Sequence, residues 1–325
     1  MRIFCMGFNL YGQLNDKKPC LEGFHIWYDS SIENIYLGHT FSVAKAKNIL
    51  KIYCNLSENP HFEFSVNVKQ IAINEKNILV LLTNGQLVKI SVAEWTTKLL
   101  PKFTEEKDEP KLISCNCKLN LVLTTKGLLY SVPEQVADFI NSNVIDIKTG
   151  KEHALLLDTS GNVYTMGCGS KGQLGTGQLD DHTTPELLQA LAGIKIVKIA
   201  AGGWHSACVS EQGDLYLWGW NDKGQLGQND WTVLATPKAV DIGENTEVNV
   251  KKVACGTKHT MVLLENGLLY GCGWNKYKQV NNTDQEEYHY FIKIEDFPYK
   301  EYFVDKIVCG PWNTGVVGKV RNKTK

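Results

Sequence analysis

The chain has 325 residues, 43% of them hydrophobic and 21% charged, the balance of an ordinary globular protein able to bury a core. Its formal charge of −1 provides no global field toward nucleic acid or an anionic membrane surface. No apolar run reaches membrane-span length, and the N-terminus Met1-Arg-Ile-Phe-Cys-Met-Gly7 lacks the apolar core and cleavage site of a signal peptide.

In chain order, Phe4-Cys-Met-Gly7 and Gly12-Gln-Leu14 come first, in phase with Tyr216-Leu-Trp-Gly219 and Gly224-Gln-Leu226 far downstream. Short apolar strands ending at an anchor residue follow: Ile35-Tyr-Leu-Gly38, Gln70-Ile-Ala-Ile73, Leu112-Ile-Ser-Cys115 and Ile145-Asp-Ile147, then Val197 to Ala201, Lys252 to Cys255 and Lys306 to Cys309. From the fourth copy the anchor opens a sharp motif: Gly150-Lys-Glu-His153, Gly202-Gly-Trp-His205, Gly256-Thr-Lys-His259 and Gly310-Pro-Trp-Asn313. The last position of that turn forms a column reading Phe41, Asn77, Asn120, His153, His205, His259 and Asn313. A second strand leads to a glycine turn such as Asn84-Gly85, Ser160-Gly161 or Gln212-Gly213, where glycine supplies the positive φ of a tight hairpin. A third strand carries an aromatic residue (Tyr53, Tyr130, Tyr164, Tyr216, Tyr270 and Phe4), and the Asn-x-x-Gly-Gln-Leu loop follows.

Repeated sheets of three or four antiparallel strands without a long helix predict an all-β, seven-bladed β-propeller. The last copy stops at Val320, and its missing half stands at residues 2–22, so the N-terminal strands are expected to complete the last C-terminal blade. The expectation is a single monomeric propeller over 1–325 with blades starting near 33, 69, 111, 144, 196, 250 and 304. The step from Phe41 to Asn77 is 36 residues against 52 from His153 to His205, which predicts trimmed second and third blades short of a full outer strand.

Of the ten cysteines, Cys5, Cys208, Cys255, Cys272 and Cys309 lie in apolar strand patterns, and Cys115-Asn-Cys117 has no partner pair at zinc-finger spacing. Reduced thiols in an intracellular protein are expected, with neither metal nor cofactor. No nucleophile elbow, phosphate loop or His-Glu-x-x-His motif occurs, so an enzyme is not expected. The histidine column reads as structural, each polar group facing its own blade's backbone. Asn9, Asn221 and Asn275 are expected to brace their loops, and the Gln-Leu pairs to plug blade-to-blade contacts. The cluster Glu105 to Glu109 reads as a solvated loop, and Glu286 to Phe291 as an interaction insert or an outer strand.

The residue before the column is not fixed by blade architecture: it reads Thr40, Lys76, Leu119, Glu152, Trp204, Lys258 and Trp312. Tryptophans at turn tips serve either as partner anchors or as packing over the next blade. Trp220 and Trp274 occupy matched positions in the other loop of the same face. Partner contact is therefore expected at Trp204, Trp312, Glu152, Lys258, Trp220 and Trp274.

Gly-x-x-His, then Gly-x-x-Tyr, then Trp218-Gly-Trp-Asn-Asp-Lys-Gly-Gln-Leu-Gly227 resembles the regulator of chromosome condensation family, strongly over Val144 to Val320 and residues 2–14. Ala200 to Ser206, Tyr302-Phe-Val-Asp305 and Cys309-Gly-Pro-Trp-Asn313 are similar to a small single-propeller member. That resemblance implies a nuclear scaffold without its own catalysis, partnered with a Jumonji-C oxygenase in histone methylation and chromosome segregation. The family also implies two alternatives. One is guanine-nucleotide exchange on a small GTPase, for which only Glu152 matches the acidic turn tips. The other is direct nucleosome binding, for which the family's basic arm is replaced here by the tail Lys319, Arg321, Lys323 and Lys325.

Overall fold

A computed structural model describes residues 1–27, 32–54, 61–65, 67–102, 107–229, 232–243 and 248–321. The strands form seven four-stranded antiparallel sheets, each a blade, and the elements between them include one short 3-10 turn, Gln189–Leu191. The inner strands begin at Asn34, Val68, Pro110, Val144, Ile196, Val250 and Tyr302. The last blade is assembled from both ends of the chain, with Arg2–Phe8 lying antiparallel to Asn313–Val320 and Phe4 opposite Val316.

Each middle strand is covered on both faces by neighbouring blades, so it reads as an unbroken apolar run rather than an alternating one. His153–Asp158, His205–Ser210 and His259–Leu264 are buried at every position. Among the described residues the core divides into seven apolar clusters, each shared by two adjacent blades. The cluster of Ile3, Cys5 and Val317 with Ile35, Ala44 and Tyr53 joins the last blade to the first and closes the ring. The Gln-Leu pairs act as expected: Leu226 joins the cluster of blades five and six, and Leu14 that of blades seven and one.

Blades two and three each keep an outer strand, cut to four residues in blade two and of full length in blade three. Their outer strands are Thr96–Leu99, exposed throughout, and Glu134–Ile140. The missing length is in the loop before the outer strand, which spans 92–95 in blade two and 132–133 in blade three against 168–181 in blade four. A hairpin connection can be shortened to two residues without loss of strand pairing, whereas a missing edge strand would expose the third strand. Glu287–Lys293 is the outer strand of blade six, which settles the alternative left open for that segment. Of the acidic cluster, residues 105 and 106 lie outside the described residues.

Candidate functional site: an aromatic face around the channel mouth

The Gly-x-x-His turn joins inner and second strands and is closed by its own backbone, from Gly202 N to His205 O at 2.9 Å and from Gly256 N to His259 O at 2.8 Å. Only glycine fits at the anchor, because a Cβ on Gly202 would lie 2.2 Å from His205 Cε1. Turn tips also bond sideways, Lys151 N to Gly203 O and Thr257 N to Pro311 O, each at 3.0 Å. The tips therefore form a laced rim around the central channel, whose mouth is a cavity of about 500 Å³ bordered by His39, Lys151 and Trp312.

The histidines belong to this lacing and not to a reactive set, but their partner differs from the expected one. His153, His205 and His259 reach across to Ser206, Thr260 and Thr314 of the next blade, with Nε2 to hydroxyl distances of 2.8, 2.9 and 3.0 Å. Each hydroxyl donates its one hydrogen back to a loop carbonyl, that of Gln173, Gln225 or Gln279. The imidazole must therefore donate through Nε2, leaving Nδ1 unprotonated against the anchor glycine and without a hydrogen-bond partner. Full burial holds all three rings neutral, pushing their pKa values down to about 3. Asn313 takes the same place with weaker bonds to Phe8 O and Gly38 O, both at 3.4 Å.

The second loop of this face is braced as the sequence predicts. Asn221 Oδ1 accepts from Leu226 N at 2.9 Å and its Nδ2 donates to Gln228 O at 2.6 Å. Asn9 and Asn275 repeat the arrangement with Leu14 N and Val280 N as donors. Trp218 fills the space beneath, fully buried, and donates Nε1–H to Gln173 O at 2.9 Å.

On this frame five of the six candidate contact residues fall into two groups, and all four tryptophans are half-buried. Trp312 is the hub of the first. It lies 4.4 Å from His39, 5.2 Å from Phe8, 5.4 Å from Tyr277 in a stacked pair, and 5.9 Å from Trp274. The second is Trp204 edge-on to Trp220 at 5.4 Å, with three ammonium groups over their faces. Lys151 stands 4.9 Å from Trp204, and Lys171 and Lys258 stand 5.1 and 4.3 Å from Trp220. Such contacts favour Trp most among aromatic faces. Lys258 is also ion-paired with Asp222 at 2.6 Å. Glu152 stands apart, paired with Lys118 of blade three at 3.1 Å.

His39, Tyr277, Lys151 and Lys171 were not singled out by sequence reasoning. His39 and Lys151 each follow an anchor glycine, so a column at that position would have exposed them. Burial holds His39 below the ordinary histidine range, opposed by Glu75 and reinforced by Lys151. Leu10, 59% exposed, sits in the same loop as Tyr11, which packs edge-on to His39. Among the described residues no cluster of three or more His, Cys, Asp or Glu is placed to hold a metal. Cys255 and Cys309 pack against apolar core clusters as expected, and being only partly buried they also line the channel mouth. In the basic tail, Lys319 pairs with Asp305 at 2.9 Å and Arg321 lies 3.9 Å from the Phe303 ring, while Lys323 and Lys325 lie outside the described residues.

Comparison with known proteins agrees with this architecture. The family described as "Regulator of chromosome condensation (RCC1) repeat" matches residues 160–209 and 212–263, and a second description of the same repeat matches 144–173, 196–225 and 250–279. Human RCC1 domain-containing protein 1 is 37% identical over 220 residues, covering 55% of this chain and 57% of its own length. The Arabidopsis thaliana ultraviolet-B receptor UVR8 is 39% identical over 149 residues, 46% of this chain and 33% of its own. This chain thus spans little more than half the length of the first of these relatives. Prp20p from Saccharomyces cerevisiae superposes with a TM-score of 0.84 at 17% identity, covering 99% of this chain and 92% of its own, a likeness of fold. No helix among the described residues is long and apolar enough to cross a membrane. The chain is a seven-bladed β-propeller whose residues 144–279, from blade four into blade six, match the regulator of chromosome condensation repeat.

Proposed function

We propose that the chain is a non-catalytic interaction scaffold whose aromatic face docks a partner protein, a Jumonji-C oxygenase acting on nuclear chromatin in histone methylation and chromosome segregation. The observation that carries the reading is the belt of half-buried Trp204, Trp220, Trp274 and Trp312 around a mouth rimmed by Lys151 and His39. Tryptophan and tyrosine dominate binding hot spots because they bury large area with few rotatable bonds. A rigid ring then contributes by positioning: half-buried aromatic anchors already packed on one another lose little side-chain entropy on docking. The resemblance to a small single-propeller member supplies the partner class. The exchange-factor alternative gains no support from Glu152, whose carboxylate is already held by Lys118.

The test is affinity capture from nuclear extract with wild type and with Trp204→Ala/Trp312→Ala, after both give matching melting curves. A Jumonji-C oxygenase recovered with wild type and lost from the variant supports the scaffold and the face together. Equal recovery places the interface elsewhere, and recovery of a small GTPase or of histones alone removes the proposal.

A further inference from the structure

The inner strands carry a second feature at the opposite end of the channel. Counting back four residues from the anchor gives Lys198, Lys252 and Lys306 in blades five, six and seven, and no cation in the other four blades. The register makes the three equivalent. Each is the first paired residue after the same strand irregularity, opposite Val209, Leu263 and Val317. Their strands Ile196–Ala201, Val250–Cys255 and Tyr302–Cys309 lie side by side around the channel. Four residues of extended strand put this layer roughly 13 Å below the aromatic rim.

Side chains of this layer run along the channel wall from one inner strand to the next. Gln70, at the same position in blade two, bonds Ile113 O at 2.9 Å and accepts from Ile113 N at 3.0 Å. Lys252 likewise donates its ammonium to the backbone oxygen of Asp305 in blade seven. Lys251, beside it at the irregularity, adds a fourth amine. The groups act on one another: burial lowers the Lys252 pKa, Asp305 opposes this, and Lys251, Lys198 and Lys306 lower it further. Two carboxylates border the layer and each is already paired: Asp305 with Lys319 at 2.9 Å, and Asp146, at the same position in blade four, with Lys148 at 3.0 Å. Lys198, Lys251 and Lys306 are exposed and form no ion pair among the described residues.

Four ammonium groups on one concave arc of a chain with net charge −1 repel one another, a cost that a multivalent anion would reverse. Convergent point charges on three successive walls of a closed ring fit a compact anion rather than a linear polymer, which needs an open basic track. Lysine serves phosphate well in this role, as a charge with rotatable donors. We infer that the arc of Lys198, Lys251, Lys252 and Lys306 is a binding site for a small polyphosphate anion entering the channel from the face opposite the aromatic belt. The site is independent of the partner proposed above.

The experiment is titration calorimetry of the full chain with inorganic tripolyphosphate at constant ionic strength, comparing wild type, Lys198→Gln/Lys306→Gln and Lys195→Gln. Both lysines of the double variant are exposed, and Lys195 is a control outside the arc, paired with Glu211 at 2.5 Å. Saturable one-site binding that weakens at least tenfold in the double variant and is unchanged in Lys195→Gln supports the site. No saturable binding, equal binding by all three proteins, or equal weakening by the control overturns it.

Discussion

Acidification from pH 7.5 to 5.5 should lower the folding stability by roughly 4 kcal/mol through His153, His205 and His259 alone. The folded-state pKa of each is depressed to about 3, against an ordinary 6.5 for the unfolded chain. Between those values the unfolded state binds a proton that the folded state refuses. The stabilisation is therefore complete above pH 6.5 and is lost as pH falls toward 3. At pH 5.5 each unfolded histidine gains about 1.4 kcal/mol from protonation, and three independent groups sum to about 4. Urea unfolding at both pH values measures the difference, and His205→Asn isolates one member, asparagine being the residue at that column in blade seven. The variant should lose about 1.4 kcal/mol less than wild type on acidification, whatever its stability at pH 7.5. Equal pH sensitivity of wild type and variant would refute the neutral, Nε2-donating imidazole.

Other perturbations test the same frame. Thr260→Val leaves His205 Nε2–H and the Gln225 carbonyl without a bond each now has, and should cost about 2–4 kcal/mol in urea unfolding. Gly202→Ala should cost about 3 kcal/mol or more because its Cβ meets His205 at 2.2 Å. Gly267→Ala has open space around it and φ +86°, so melting should register only the backbone strain of about 1–2 kcal/mol. A thiol reagent followed by mass spectrometry should label exposed Cys117 in the native protein and leave buried Cys5, Cys208 and Cys272 untouched until urea is added, because burial raises their pKa values.

Much of the frame was legible because repetition makes the sequence its own alignment. The phase of Phe4-Cys-Met-Gly7 with Tyr216-Leu-Trp-Gly219 anticipated the pairing of Arg2–Phe8 with Asn313–Val320. The loop asparagines were equally readable, since their bonds close within ten residues. The histidine partners were misassigned to the same blade. Their signal was present in the residue after the column, Ser206, Thr260 or Thr314, one repeat downstream. A bond between successive copies is invisible when each copy is read alone.

The contact face shows where sequence stops. Local chemistry determined the strands, the turns, the blade order and the candidate tips Trp204 and Trp312, because those depend on residues close in the chain. Whether a tip stands free or is packed depends on groups brought near only by closing the ring. Phe8 and His39 meet Trp312 from the far end of the chain, and Lys118 captures Glu152 from the preceding blade. Three lysines spaced 54 residues apart, Lys198, Lys252 and Lys306, became neighbours for the same reason. One strand's spacing cannot encode a contact that depends on the curvature of seven stacked sheets. That curvature is set by interblade packing, so the tertiary structure alone decided which side chains share a surface.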